Sequence, residues 1–501
     1  MPDDASAARN ADPYRALGVR PFINCCSVRT VHGGSLMLPQ VRQAVAEASR
    51  QFVNLDELME AAGARLAELT GAEWGIVTCG SAAAVALGTA ACVAGNDPVK
   101  MLRLPFTDGM VNRVVMVRNQ RFAYDQAIRM VGTTIVEIDT HEDLAAALAE
   151  PVAMIAVLGT HEEQSQVRIE DLVAAARPRG IPILVDAASE HLRRPSPWLV
   201  RGADLVVYSG GKFLRGPQTS GLLLGRKSLV QAAWRNASPH QALGRPMKVS
   251  KEDVIGLLAA VEYWLESRDE AAELRRWHDD LDAIAHEVAR MPSLRAEIVA
   301  PAGVVCVPAL RLRWDAAGLR LDGLGLRQRL IEGQPRIMVD DMSATADSIT
   351  IDPFGLQPGE AVQVGRAIAA AFSAAAQDAR ETAAPDVDAS GEWELRTHFL
   401  HGERTHRLVL RQRGGVLSGE HSSPHFSGSV QGRLAGSSIE FTLQARYEGS
   451  TLAFRCRGRA GPDAMSGQAA LGSATDHHQG PVNLAQFGEA SWDARRIGAA
   501  H

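Results

Sequence analysis

No two of the six cysteines form a C-x-x-C pair: Cys25, Cys26, Cys79, Cys92, Cys306 and Cys456 are scattered along the chain. That spacing supports neither a zinc ribbon nor a thioredoxin-type site, and it fits a reducing compartment. Apolar runs such as Ala367-Ile368-Ala369-Ala370-Ala371-Phe372 are too short to span a bilayer. Positive charge is not in excess, since 52 Lys+Arg stand against 58 Asp+Glu for a formal net charge of -6. Nothing electrostatic therefore draws this chain to nucleic acid or to an anionic membrane. The basic pairs Arg193-Arg194 and Arg495-Arg496 are short and read as solvated faces. The start, Met1-Pro2-Asp3-Asp4, lacks the basic-then-apolar layout of a secretory leader, so a cytoplasmic location is expected. There is no solenoid-like repeat.

What is present is an ordinary globular composition, 46% hydrophobic and 22% charged, over 501 residues. That length calls for more than one core. Short apolar runs at 75–79, 113–117, 134–138, 153–158, 181–185, 203–208 and 220–224 alternate with helical patterns. This predicts a mostly parallel sheet between helix layers. A long charged helical stretch from Lys251 to Met291 leads into a smaller α/β segment. Its expected strands lie near 304–307, 310–314, 336–339 and 348–351, with a closing helix over 359–376. After Gly391 the pattern becomes alternating and glycine-punctuated, as short antiparallel strands of a barrel or sandwich require. The expected division is an amino-terminal segment (1–20), a large domain (21–250), a linker helix with a small α/β domain (251–382), a linker (383–390) and an all-β domain (391–501).

Three local patterns carry chemistry. In Leu205-Val206-Val207-Tyr208-Ser209-Gly210-Gly211-Lys212 a lysine follows a buried strand and two glycines, where a ligand can approach the backbone closely. A lysine at the end of a core strand needs a partner, and an aldehyde that converts it to an imine is one; the alternative is a loop lysine in solvent. A P-loop is ruled out, because Val206 stands where glycine is required and Phe213 where Ser or Thr is. In Ile183-Leu184-Val185-Asp186 a carboxylate ends a buried strand at the mouth of an open sheet. Beside a pyridine nitrogen such a group keeps the ring protonated and makes it an electron sink. In Thr78-Cys79-Gly80-Ser81 a strand runs into a small-residue helix whose free amides, with the Ser81 hydroxyl, suit a phosphate monoester; an ordinary Ser-capped turn is the plainer reading. Together the three supply a phosphate cradle, a ring-nitrogen partner and an imine lysine, in the chain order of fold-type I pyridoxal 5′-phosphate (PLP) enzymes.

From about Arg20 to Ala376 the sequence resembles the SelA-like branch of that fold type, which holds bacterial selenocysteine synthase and D-glucosaminate-6-phosphate ammonia-lyase relatives. The resemblance is carried by Pro21-Phe22-Ile23-Asn24, Gly33-Gly34-Ser35, Leu69-Thr70-Gly71-Ala72-Glu73 and, most specifically, Ser209 through Lys212 to Gly221. It implies Lys212 as the Schiff-base lysine, Asp186 on the pyridinium, and Gly80, Ser81 and Ser209 near the phosphate. Gly216 and Gln218 are implied at the neighbouring subunit's phosphate site, in a homodimer or higher homo-oligomer. Two departures stand out. Gln120 takes the place where relatives often stack a histidine on the ring, and the loop after Asn24 reads Cys25-Cys26-Ser27-Val28-Arg29-Thr30-Val31-His32. Asn24, Arg29 and His32 are candidates for substrate contact. Arg336 resembles the arginine that grips a substrate carboxylate as a bidentate pair; a structural salt bridge is the alternative.

The carboxy-terminal segment holds His398, His401, His406, His421, His425, His477 and His478. Their spacing follows no standard metal-ligand pattern, and no metal is expected. The reading is thus a PLP-dependent lyase acting at Cα of an amino acid or amino-sugar acid. Racemase, aldolase and aminotransferase chemistry use the same residues. A non-catalytic PLP-binding or ligand-sensing protein is the alternative of another class. Selenium transfer to seryl-tRNA is disfavoured by the acidic charge and by a large-domain pattern that starts near Arg20. A small-molecule substrate is expected, with neither nucleic acid nor membrane as partner.

Overall fold

The computed structural model describes residues 12–291, 293–301, 307–315, 321–377, 384–424, 427–475 and 487–498. The chain enters through a three-residue strand, β1 (Ile23–Cys25), and then builds a seven-stranded sheet. Its strands are β2 (Trp74–Thr78), β3 (Arg113–Val117), β4 (Thr134–Ile138), β5 (Met154–Leu158), β6 (Ile183–Asp186), β7 (Leu205–Ser209) and β8 (Gly221–Gly225), in the order β2-β8-β7-β6-β5-β3-β4. All neighbours are parallel except β8, which runs antiparallel to both β2 and β7. Every residue of β2, β5, β6 and β8 is buried, which is why these strands read as continuous apolar runs rather than alternating ones.

The alanine-rich helix Ser81–Ala94 lies against this sheet, buried almost along its whole length. Its small side chains are what allow the approach: a Cβ on Gly88 would come within 2.6 Å of Leu184 Cδ1. The helix Leu55–Thr70 is started by Asn54, whose side chain accepts from the Asp56 and Glu57 N–H groups, and stopped by Gly71 at φ 74°. The long helical stretch expected from Lys251 is two helices, Lys251–Glu262 and Glu270–Val288, joined by a π turn over Tyr263–Ser267. Between β3 and β4 the chain forms only a 3-10 turn, Ala123–Asp125, and one α turn, Gln126–Arg129.

A second core gathers around β9 (Leu294–Val299), β10 (Ala309–Trp314), β11 (Ile337–Val339), β12 (Ser348–Ile351) and the helix Glu360–Gln377. β9 was not anticipated, whereas the strand expected at 304–307 falls mostly outside the described residues. Its one described residue, Val307, lies in a bend. β1 pairs in parallel with β11 and buries Ile23 and Cys25 in this second core. The chain ahead of the large sheet is thereby tied to residues three hundred positions downstream.

The last segment is a closed antiparallel barrel of eight strands: β13 (Gly391–His398), β14 (Glu403–Arg413), β15 (Val416–Ser422), β16 (Ser427–Ala435), β17 (Ser438–Tyr447), β18 (Ser450–Ala460), β19 (Ala464–Thr475) and β20 (Glu489–Gly498). Pairing of β13 with β20 closes it, so no edge is left open. Between barrel and sandwich, the structure decides for the barrel. Its interior is filled by Trp393, Leu395, Leu408, Leu410, Phe441 and Trp492, alternate residues of their strands. His406 and His421 are also buried there, their Nδ1 atoms 3.3 Å apart. His425, His477 and His478 lie outside the described residues. Among those described, no group of three metal-ligating side chains gathers, and no helix is long and apolar enough to cross a membrane.

Candidate active site

The sheet register lines up the first group of candidates. Thr78 pairs with Gly221 and Gly221 with Ser209, while Asp186 pairs with Val207 on one side and Leu158 on the other. Gly80 stands at φ 102° as the residue before the helix Ser81–Ala94, and no side chain caps that helix start. Its first amides are therefore available to an anion. Gly221 faces them so closely that a Cβ there would collide with the Gly80 carbonyl carbon and lie 2.6 Å from Ser81 N. Glycine is required at that point by close approach.

Lys212 follows β7 across Gly210 and Gly211. Its Nζ donates to Ser189 Oγ at 2.8 Å. Burial holds the ammonium below the ordinary lysine value, and the charge of Asp186 opposes that shift. Asp186 is pushed the other way, upward, by its own burial, against a hydrogen bond from the Ala188 N–H and the Lys212 charge. A partly buried amine and a buried carboxylate, each costly to charge alone, thus lie within electrostatic reach of one another beyond adjacent strands. An aldehyde on the amine and a protonated ring nitrogen at the carboxylate would relieve both costs, with the Gly80–Ser81 turn left for a phosphate. The residues present fit PLP.

The other candidates form a second group around β1 and β11. Asn24 closes the turn after β1, accepting from Cys26 N and donating to Ser27 O. Arg29 pairs with both Asp340 and Asp341 just beyond β11, so its guanidinium is engaged within the protein. His32 lies edge-on to Phe22 at 5.3 Å. Its pKa is pushed down to about 4 by burial and by the charges of Arg29 and Arg327, with Asp341 opposing, and it is neutral at neutral pH. Arg336, immediately before β11, reaches the Arg20 carbonyl at 3.5 Å and keeps a buried Nε with no acceptor among the described residues.

The two groups meet at the lysine hairpin. Ser35 donates to the Gly211 carbonyl through both its N–H and its hydroxyl, each at 3.0 Å. Gln218 donates to the Thr30 carbonyl at 2.9 Å, and the Gly216 N–H to the Gly210 carbonyl at 2.8 Å. Gln120 is fully buried, with Oε1 accepting from the Leu158 N–H (2.9 Å) and Nε2 donating to Ser165 Oγ (2.7 Å).

Three residues escaped the sequence reading. Ser189 is one. Glu190, next to it, accepts from Trp198 Nε1 at 2.7 Å. Its other oxygen is buried with no hydrogen-bond partner among the described residues and lies against Gly159, where any Cβ would overlap it. Burial pushes its pKa up to about 7, opposed by the Trp198 bond and assisted by the Asp186 charge. Asp352, also pushed up by burial, to about 6, donates its N–H to the Cys25 carbonyl. Position directly after the Asp186 strand end was a usable signal for Ser189 and Glu190; for Asp352 the sequence offered none.

The model of the family described as SelA: L-seryl-tRNA selenium transferase matches residues 23–305, more than half of the chain. The chain belongs to the SelA family. This SelA-family protein is 31% identical over 358 residues to the D-glucosaminate-6-phosphate ammonia lyase of Salmonella typhimurium, covering 69% of this chain and 94% of the relative. It is 33% identical over 362 residues to a 5′-C-glycyluridine monooxygenase-decarboxylase of Streptomyces, covering 69% and 88%. A solved structure of D-glucosaminate-6-phosphate ammonia-lyase superposes with a TM-score of 0.65 at 30% identity, over 73% of this chain and 99% of that one. The family's fold is the fold-type I architecture of PLP enzymes, and PLP is the cofactor. The family match stops well before β13, so it does not account for the barrel.

Proposed function

We propose that this SelA-family protein is a PLP-dependent lyase that removes a β-leaving group from a polar amino acid or amino-sugar acid. The observation that carries the reading is the placement of Lys212 after β7, its amine bonded to Ser189 Oγ, beside the neighbouring strand β6 that ends in the buried Asp186. When bound, PLP supplies the electron sink for the pair left at Cα. With the cofactor bound, Lys212 would hold its aldehyde and its Nζ would be placed to take the Cα proton. Asp186 would keep the ring nitrogen protonated. The Cβ–O bond then breaks with its electron pair going to oxygen, which leaves as water after gaining a proton. Hydrolysis of the enamine product gives a keto acid and ammonia, so the water consumed balances the water released. The Arg336 Nε, buried with no acceptor among the described residues, is suited to a substrate carboxylate.

The Salmonella relative's name, an ammonia lyase, supports elimination over racemisation, aldol cleavage and transamination. The Streptomyces relative's name supports a second reading, oxidative decarboxylation of an amino acid with uptake of dioxygen.

The test has two stages. Borohydride treatment of the coloured protein, followed by peptide mapping, is expected to fix the cofactor on Lys212, and Lys212→Ala to abolish that adduct. A panel of D- and L-amino acids and amino-sugar acids is then assayed for ammonia, keto acid, carbon dioxide and dioxygen uptake. Equal ammonia and keto acid, without carbon dioxide, supports the lyase. Carbon dioxide with dioxygen uptake moves the second reading to first place, and optical inversion without ammonia a racemase. A protein that cannot be loaded with PLP overturns the reading and leaves a ligand-sensing role.

A further inference from the structure

The family match ends before the barrel, yet one barrel turn is built into the large domain beside the site. The segment after β3 carries Gln120, whose side chain is bonded to the end of β5 next to Asp186. The next residue, Arg121, is 4% exposed and holds three carboxylates. Its Nε donates to Asp125 Oδ2 at 2.5 Å, its Nη1 to Glu137, and its Nη2 to Glu448 Oε2 at 2.7 Å. Asp125, fully buried, is held from the other side by Arg129 Nε at 3.0 Å.

Glu448 belongs to the barrel, in the tight turn between β17 and β18 that Tyr447 and Ser450 close as a pair. It sits at φ 51°, in the left-handed region that a residue with a side chain rarely adopts. Gly449 follows, and a Cβ there would collide with the Phe122 carbonyl oxygen and lie 2.6 Å from Asp125 Oδ2. The turn is thus seated backbone to backbone on Phe122–Asp125. A residue in the left-handed region supplies its charge to a guanidinium that also pairs with Asp125 and Glu137.

We propose that the Tyr447–Ser450 turn of the barrel is a positioning element for the cofactor site, acting through Glu448 on Arg121 and through Gly449 on Phe122 and Asp125. The barrel holds in register the segment that places Gln120 at the end of β5, so anything that shifts this turn shifts the wall of the site. The inference rests on the reading of Lys212 and Asp186 as the PLP site. Glu448 and Arg121 are positioning residues, with no contact to reacting atoms assigned to them.

The experiment compares the full-length wild type with Glu448→Ala, Glu448→Gln and, as a barrel control, Glu394→Ala, whose carboxylate pairs with Arg396 on its own strand. Two readouts are taken: hydrogen exchange of peptides spanning 118–126 without PLP, and PLP affinity by absorption titration. Because Arg121 keeps Asp125 and Glu137 in the variants, the large domain retains its ion pairs. Glu448→Ala is expected to speed exchange in 118–126 and to weaken PLP binding about ten-fold, the scale of one charge-assisted bond. Glu448→Gln, which keeps shape and an acceptor, falls between, and Glu394→Ala matches the wild type. Wild-type exchange in 118–126 for both Glu448 variants overturns the proposal, as does faster exchange at unchanged PLP affinity. A wild type that binds no PLP overturns the function reading instead, and the exchange readout still decides whether the turn holds the segment.

Discussion

Lys212 Nζ rests 2.8 Å from Ser189 Oγ, across the mouth of the sheet from the strand that ends in Asp186. Ser189 therefore fixes where the amine waits when it is not bonded to an aldehyde. Its hydroxyl oxygen accepts from the ammonium and so favours the charged lysine, against the burial that disfavours it.

Replacing Ser189 by Ala removes that acceptor. The Lys212 pKa is expected to fall further, because burial then acts with less opposition. The pH profile for PLP capture by the apo-protein should shift its acid limb to lower pH, and turnover should drop by about ten-fold as the base loses its position. Stopped-flow absorbance across pH checks the first expectation. An unmoved profile would show that Ser189 leaves the amine unaffected.

Glu190 gives a pH dependence of stability with a defined sign. Its folded pKa of about 7 lies above the ordinary carboxyl value, so the native state holds the proton more tightly than the unfolded chain. Its contribution is full below the ordinary value and is lost as pH rises toward 7. Glu190→Gln cannot ionise, so relative to wild type it should become progressively more stable across that window, by on the order of a few kcal/mol at its upper end. Urea unfolding at a series of pH values measures the difference. A difference that stays flat with pH counts against the buried, protonated carboxyl.

Gly221→Ala tests the phosphate cradle. The added methyl would press on Gly80 and Ser81 N, displacing the helix start at a cost of about 1–3 kcal/mol. PLP affinity should fall by at least about ten-fold, while Gly225→Ala, at the far end of β8, is expected to cost stability without that selective loss. Isothermal titration of both apo-variants with PLP separates the two effects.

The sheet strands were legible because a strand buried on both faces must be apolar throughout, as β5 and β6 are. The barrel was legible as a class but not strand by strand. Apolar residues alternate visibly in β13, β14, β16, β17 and β18, whereas β15, β19 and β20 carry inward faces built partly from Gly and Ala, such as Gly419, Ala469 and Ala490. Small residues against a curved neighbour leave little hydrophobic alternation to read.

The placement of Lys212, Asp186 and the Gly80–Ser81 turn was legible in the sequence, because each is set by a local event: the end of a buried strand, or a strand running into a helix. Family membership followed too, from Ser209 to Gly221. Only the tertiary structure decided the rest. That Ser189 meets Lys212, that Arg29 is engaged by Asp340 and Asp341, and that Glu448 in the barrel reaches Arg121 are contacts between segments distant in the chain. Side-chain charge and reach permit many such pairings. The packing of β1 on β11 and of the barrel turn on Phe122–Asp125 selects among them, with Gly34 against the Gly211 carbonyl and Gly449 against the Phe122 carbonyl too close for a side chain.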